Sequence, residues 1–175
     1  LGAIEETEEE FRIGGMVTVR DLELDPGLHT YTDGAVRESV RHIVGVQFRN
    51  LATVGGSIYG RYGFSDVLTM FLAMDSYVEL YKGGVIPLKE YAKMPYDRDI
   101  LVRLIVKKEK AMFDYQSVRN SQTDFPVLTC AVGQTQLTSP TSVEPGWNAS
   151  PWYRGSRKRF MAWPAWARLA WASAA

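Results

Sequence analysis

An α+β fold is what this sequence predicts, and three observations carry the prediction. Apolar and polar side chains alternate along residues 11–24 around a Gly14-Gly15 break. Apolar residues recur at helical spacing between Thr32 and Val46. Strand patterns then return at residues 76–81 and 100–106, after a second apolar run at residues 67–74. With 175 residues, the chain is long enough to bury most of a core's apolar surface.

Taken in order, residues 11–24 read as a strand, a tight turn at the glycine pair, and a short helix opening at Thr18. Asp25-Pro26-Gly27 reads as a turn. From Thr32 to Val46, Val36, Val40, Ile43 and Val44 form an apolar stripe with Arg37, Glu38 and Arg41 opposite, which predicts one helix. Residues 50–57, NLATVGGS, are a β-branched stretch that reads as a strand ending in a glycine pair. Ser65 or Asp66 would cap the helix at 67–74. SYVELY at 76–81, closed by Lys82-Gly83-Gly84 and resumed at Val85, is a hairpin signal. The nearly unbroken apolar run ILVRLIV at 100–106 predicts a strand buried on both faces. KKEK from Lys107 is a solvated crossing, and a second sheet is expected from about Ala111 through Tyr115, Val118 and residues 124–128. Beyond Gln134 the composition changes: all five tryptophans fall there, and Glu144 is the only acid against five Lys and Arg residues.

Composition excludes several classes of function. Lys plus Arg and Asp plus Glu each number 20, so no net field favours a nucleic acid or an anionic membrane. Cys130 is the only cysteine, which rules out an intramolecular disulfide and a cysteine-built zinc or iron–sulfur site within this chain. It lies in VLTCAV, where a buried, inert thiol is expected. Glu5, Glu6, Glu8, Glu9 and Glu10 stand where an export signal would be basic and then apolar, and no apolar run approaches the ~20 residues of a membrane span. The expectation is a soluble, cytoplasmic protein. His29 and His42 share no acidic neighbours at metal spacing, and no nucleophile elbow or paired carboxylate is found.

One segment gathers flexible backbone and hydroxyls: Thr53-Val54-Gly55-Gly56-Ser57. Glycine leaves no Cβ in the way, so such a segment brings bare N–H groups against a phosphate or carbonyl; a plain turn is the other reading. Asp66 would accept from a sugar hydroxyl if Ser65 makes the cap, or is itself the cap. The segment is neither a Walker loop nor a GxGxxG fingerprint.

Around it the words are specific. GVQFRNLATVGGSI, followed by SDVLTMFLAMDSYVELY, resembles the FAD-binding subunit of molybdenum hydroxylases of the xanthine or carbon monoxide dehydrogenase type, which reads Q-I-R-N-x-A-T-x-G-G-N and then S-D-x-x-x-x-L-x-A-L-x-A. IGGMVTVRDLE at 13–23 and YQSVRNSQTDFPVLTCAV at 115–132 resemble further segments of that family, in the same order. The resemblance implies residues 1–106 as the second FAD-binding subdomain, 107–133 as the start of a small α/β C-terminal domain, and 134–175 as an atypical Trp/Arg-rich tail. It implies that Ala52, Thr53, Gly55, Gly56 and Ser57 lie against the pyrophosphate and ribityl region of FAD, with Gly60 and Arg61 continuing the loop. Asp66 would hold a sugar or ribityl hydroxyl, and Ile100 or Leu101 would lie near the isoalloxazine ring. The implied partners are an iron–sulfur subunit and a molybdopterin subunit, with NAD or another acceptor taking the electrons.

The chain also departs from that pattern. Ser57 replaces the usual Asn, and Ser117 stands where a lysine often approaches the flavin. The lone cysteine excludes the variant with an extra cluster on this subunit. A first subdomain with its own glycine-rich loop is expected to precede Leu1, so FAD binding by this chain alone would be weakened. SPWYRGSRKRFMAWPAWARLAWASAA has no counterpart in the family; a shifted reading frame would produce it, and an interfacial helix marked by Trp163, Trp166 and Arg168 is the alternative. A non-catalytic remnant or subunit-docking module that no longer binds FAD is the rival function.

Overall fold

The computed structural model describes residues 1–96, 98–135 and 158–164, the last by backbone alone. In chain order its elements are β1 (Ile4–Glu6), β2 (Glu10–Gly14), α1 (Val19–Leu24), α2 (Pro26–Tyr31), α3 (Ala35–Val40), α4 (Val46–Arg49), α5 (Val54–Tyr59), α6 (Asp66–Leu72), β3 (Ser76–Leu80), β4 (Gly84–Pro87), α7 (Leu88–Tyr91), β5 (Leu101–Lys107), β6 (Ala111–Val118), β7 (Leu128–Thr135) and β8 (Lys158–Pro164). The fold is α+β. An antiparallel five-stranded sheet in the order β1-β2-β5-β3-β4 and an antiparallel three-stranded sheet in the order β6-β7-β8 are joined by the helices.

Register explains the sheet's buried face. Phe11 stands opposite Val106, Ile13 opposite Leu104, and Leu104 opposite Val78, and all five side chains are fully buried. Cross-strand apolar pairs of this kind each bury side chains worth roughly 1.5–3 kcal/mol. The strand at 101–107 is central, as its apolarity predicts, but Arg103 and Ile105 on its other face are only half-buried. Both-face burial is therefore corrected: this sheet has one covered face, and Arg103 reaches Glu79 across the other.

Four further expectations are corrected. Asp25-Pro26-Gly27 is not a free turn; Asp25 caps α2 through the Leu28 N–H and Pro26 takes the first helical position, where its missing N–H costs nothing. The single helix from Thr32 to Val46 is shorter, because Asp33 and Gly34 both have positive φ and the helix starts only at Ala35. It ends at Val40, leaving Ile43 and Val44 in the link to α4. Residues 50–57 form no strand: Thr53 accepts from Gly56 N and caps α5, so the glycine pair lies in the first turn of a helix. The frameshift reading falls mostly on residues outside those described, as do Trp166 and Arg168; Trp163 lies on β8, paired with Thr129, and not on a helix.

Helix α6 lies at the centre. It packs against α3, α5 and β7 and is buried on every side, which is why its sequence, DVLTMFL, is apolar all round. Of the two candidates, Ser65 makes the cap and leaves the Asp66 carboxylate for other partners.

Candidate functional site

Three backbone layers meet at the glycines. Gly15 N donates to Val102 O, and Gly55 N donates to Gly15 O at 2.9 Å. A Cβ on Gly15 would come within 2.5 Å of Leu101 O, and one on Gly55 within 2.5 Å of Gly15 O. Glycine is required at both positions because backbone stacks directly on backbone. This contact fixes α5 on the sheet.

In front of α5 lies a cavity of about 290 Å³. Its floor is Ala52, Thr53, Gly56 and Ser57; one wall carries Ile43, Val44 and Phe48, and another carries Tyr62 and Phe64. Asp66, Arg119 and the residues 123–125 of the β6–β7 connection close the remaining side. The aromatic wall is ordered by ring contacts, with Tyr62 and Phe64 stacked at 5.1 Å between centroids and Phe125 edge-on to Phe64 at 4.8 Å.

Of the residues singled out from sequence, Ala52, Thr53, Gly56, Ser57 and Asp66 are brought together around this cavity. Gly55, Gly60, Arg61 and Leu101 are not among its lining residues. Gly55 and the Leu101 backbone belong to the glycine stack. Gly60 O accepts from Tyr96 Oη. Arg61 is buried with positive φ; its guanidinium lies 4.1 Å from the Tyr91 ring centroid, 5.2 Å from that of Tyr96 and 5.5 Å from that of Tyr59, and donates to Pro95 O.

The expectation of bare N–H groups at the glycine pair is corrected. Val54 N donates to Val17 O, Gly55 N to Gly15 O, Gly56 N to Thr53 Oγ1 and Ser57 N to Thr53 O. What Gly56 offers is a surface without a Cβ. The side chains remain: Thr53 Oγ1 accepts from Gly56 N, and a hydroxyl that accepts still has a proton to donate. Ser57 Oγ donates to Thr53 O and keeps lone pairs to accept.

Asp66 is buried beside two donors. Tyr115 Oη donates to its Oδ1 at 2.5 Å, and Arg119 Nη2 donates to the same oxygen at 2.6 Å. Burial raises its pKa above the ordinary carboxyl value, and the Arg119 and Tyr115 contacts offset that only in part. Tyr115 is pushed up by the same burial and then by the Asp66 charge, so it stays a phenol. Arg119 also donates from Nη1 to Asp124 O at 2.6 Å, which ties the 123–125 wall to α6. Sequence reasoning missed Arg119, Phe48, Tyr62, Phe64 and Phe125. A lone arginine and scattered aromatics have no spacing to mark them; their shared cavity arises only when α4, α6 and the β6–β7 connection converge.

The other titratable candidates remain apart. His42, depressed by burial and by Arg41, accepts from Arg41 Nε, and His29 is exposed. Cys130 is half-buried, and burial raises its thiol pKa. Among the described residues no three His, Cys, Asp or Glu side chains gather as a metal site, and no helix is long and apolar enough to cross a membrane.

The model of the FAD binding domain in molybdopterin dehydrogenase matches residues 1–108. The chain belongs to this family. FAD is the family's cofactor. The chain is also similar to two curated proteins, the uncharacterized protein YgfM of Escherichia coli K12 and that of Escherichia coli O157:H7. Each is 29% identical over 105 residues, 60% of this chain and 40% of the relative. The chain thus spans about two fifths of the length of these relatives. Quinoline 2-oxidoreductase from Pseudomonas putida 86 superposes with a TM-score of 0.69 at 17% identity, over 78% of this chain and 50% of that one. CO dehydrogenase from Oligotropha carboxidovorans gives 0.69 at 20%, over 79% and 51%, and carbon monoxide dehydrogenase from Hydrogenophaga pseudoflava gives 0.68 at 21%, over 77% and 50%. These structures share the flavin-domain fold.

The residues present fit part of such a cofactor. A cavity of about 290 Å³ stands at the lower end of small-molecule sites. Its floor without a Cβ at Gly56, its Thr53 and Ser57 hydroxyls and its aromatic wall suit a planar group bearing hydroxyls.

Proposed function

We propose that this chain is the flavin-binding part of an electron-transfer subunit in a molybdenum hydroxylase of the xanthine or carbon monoxide dehydrogenase type. The observation that carries the reading is the convergence of Thr53, Gly56, Ser57 and Asp66 on one cavity, within the segment matched by the FAD-domain family. Bound there, FAD accepts electrons and returns them, which is the redox chemistry of the subunit. An iron–sulfur subunit supplies the electrons, a molybdopterin subunit selects the substrate, and NAD or another acceptor takes them up. A cytoplasmic setting is part of this proposal.

The chain's own residues bind and orient. Gly56 lets the cofactor approach the backbone of α5 closely, Thr53 donates to it, and Ser57 accepts. Phe48, Tyr62, Phe64 and Phe125 offer apolar contact along its flank. Asp66 offers its second carboxylate oxygen to a ligand hydroxyl, the first being held by Tyr115 and Arg119. Gly55, Gly60, Arg61 and Leu101 contribute by holding α5 and its following loop in place.

Titration of the chain with FAD, followed in the flavin's visible absorbance, tests this. A bound-flavin spectrum is expected, and Gly56→Val, which fills the floor, weakens binding by about tenfold or more, on the order of 1.4 kcal/mol. An unchanged flavin spectrum with folded protein sinks the proposal. A second reading, a docking module that no longer binds FAD, is favoured by one observation: all four N–H groups from Val54 to Ser57 already have partners within the chain. The same titration separates the two.

A further inference from the structure

A β-branched residue in the left-handed region is rare, and Val44 is one, with φ of 48°. Strain of this kind persists only where neighbouring groups over-determine the backbone. Val44 and Ile43 line the cavity, and Arg49 supplies the restraint. The Arg49 guanidinium is buried; Nη1 donates to Ile43 O at 3.2 Å and to Val44 O at 3.5 Å, while Nε and Nη2 donate to Glu23 at 2.8 and 3.5 Å. Glu23 in turn accepts from Arg20 at 2.8 Å, so the carboxylate is held from both sides. Neither Glu23 nor Arg49 lines the cavity itself.

We infer that the Glu23–Arg49 pair is a positioning device, which grips the Ile43 and Val44 carbonyls and sets Val44 as a rigid wall of the flavin cavity. This rests on the flavin reading for its ligand, but the grip itself does not. Glycine at 44 would adopt the observed backbone without strain. It would also take the wall away.

Stability and affinity therefore separate in Val44→Gly, and that is the test. Its melting temperature is expected to hold within about 2 °C, because relief of the left-handed strain offsets the extra freedom that glycine gives the unfolded chain. FAD affinity falls about tenfold because the wall is gone. Unchanged affinity overturns the proposal, and so does a melting temperature that falls by about 5 °C or more together with affinity, since Val44 would then be ordinary packing without strain to relieve.

Arg49→Lys adds an arm that needs no flavin. Ile43 N donates to Val40 O, so its amide is protected, and loss of the forked grip should speed hydrogen exchange across residues 41–45 about tenfold in the FAD-free chain. Unchanged exchange there overturns the grip. If the unaltered chain binds no FAD, the flavin reading fails alone, and this exchange experiment decides the positioning claim.

Discussion

Two arginine–carboxylate pairs are buried near the cavity, Glu23–Arg49 behind its wall and Asp66–Arg119 in its lining, and they titrate in opposite directions. Burial works against the charged form of both. Glu23 accepts from two guanidinium groups, Arg20 and Arg49, which more than offset burial and hold its pKa below 4.5. Asp66 accepts from one guanidinium and a phenol, which do not offset its burial, and is held above 3.8. The protonation of a buried ion pair is thus set by the balance of charge-assisted donors against desolvation, and not by the presence of a partner alone.

The largest break in this comparison is Arg119→Ala. It leaves the Asp66 carboxylate buried beside a neutral phenol and frees the 123–125 wall, so unfolding free energy measured in urea should fall by about 3–5 kcal/mol. Arg49→Ala should cost less, about 1–3 kcal/mol in the same measurement, because Glu23 keeps Arg20, which is partly exposed. Equal losses would show that the second guanidinium on Glu23 contributes nothing.

The smallest effect is in the pH dependence. Glu23, with its folded-state pKa depressed, contributes stability that is present above 4.5 and is lost as pH falls through the folded value. Asp66, with its pKa raised, contributes stability that is present below 3.8 and is lost as pH rises through the folded value. Melting temperatures between about pH 3 and 6 should therefore rise less steeply with pH in Glu23→Gln and more steeply in Asp66→Asn than in the unaltered chain. Parallel curves for the two variants would refute the opposed titration.

The hairpin around Lys82, the central strand near Leu104 and the Ser65 cap were legible because each depends on local chemistry: a glycine turn, an apolar run, a hydroxyl before a helix. Residues 50–57 misled for the same reason in reverse. Thr53 and Val54 favour strands locally, but the Gly55–Gly15 contact and the Thr53 cap are satisfied only by a helix lying on the sheet. Likewise Arg61, placed by resemblance along a cofactor loop, turns into a cage of three tyrosines contributed by α5, α7 and the segment after α7.

By itself the sequence determined the α+β class, the balanced charge, the absence of any cysteine pair, and the segment whose words belong to the flavin-domain family, since these reside in composition and in order along the chain. Only the tertiary structure decided that Gly55 faces backbone while Gly56 faces a cavity, and that Asp66 shares its carboxylate with Tyr115 and Arg119. Neighbouring glycines look alike in sequence. They differ once a helix turns them about 100° apart, one toward the sheet and the other toward the space where a ligand fits.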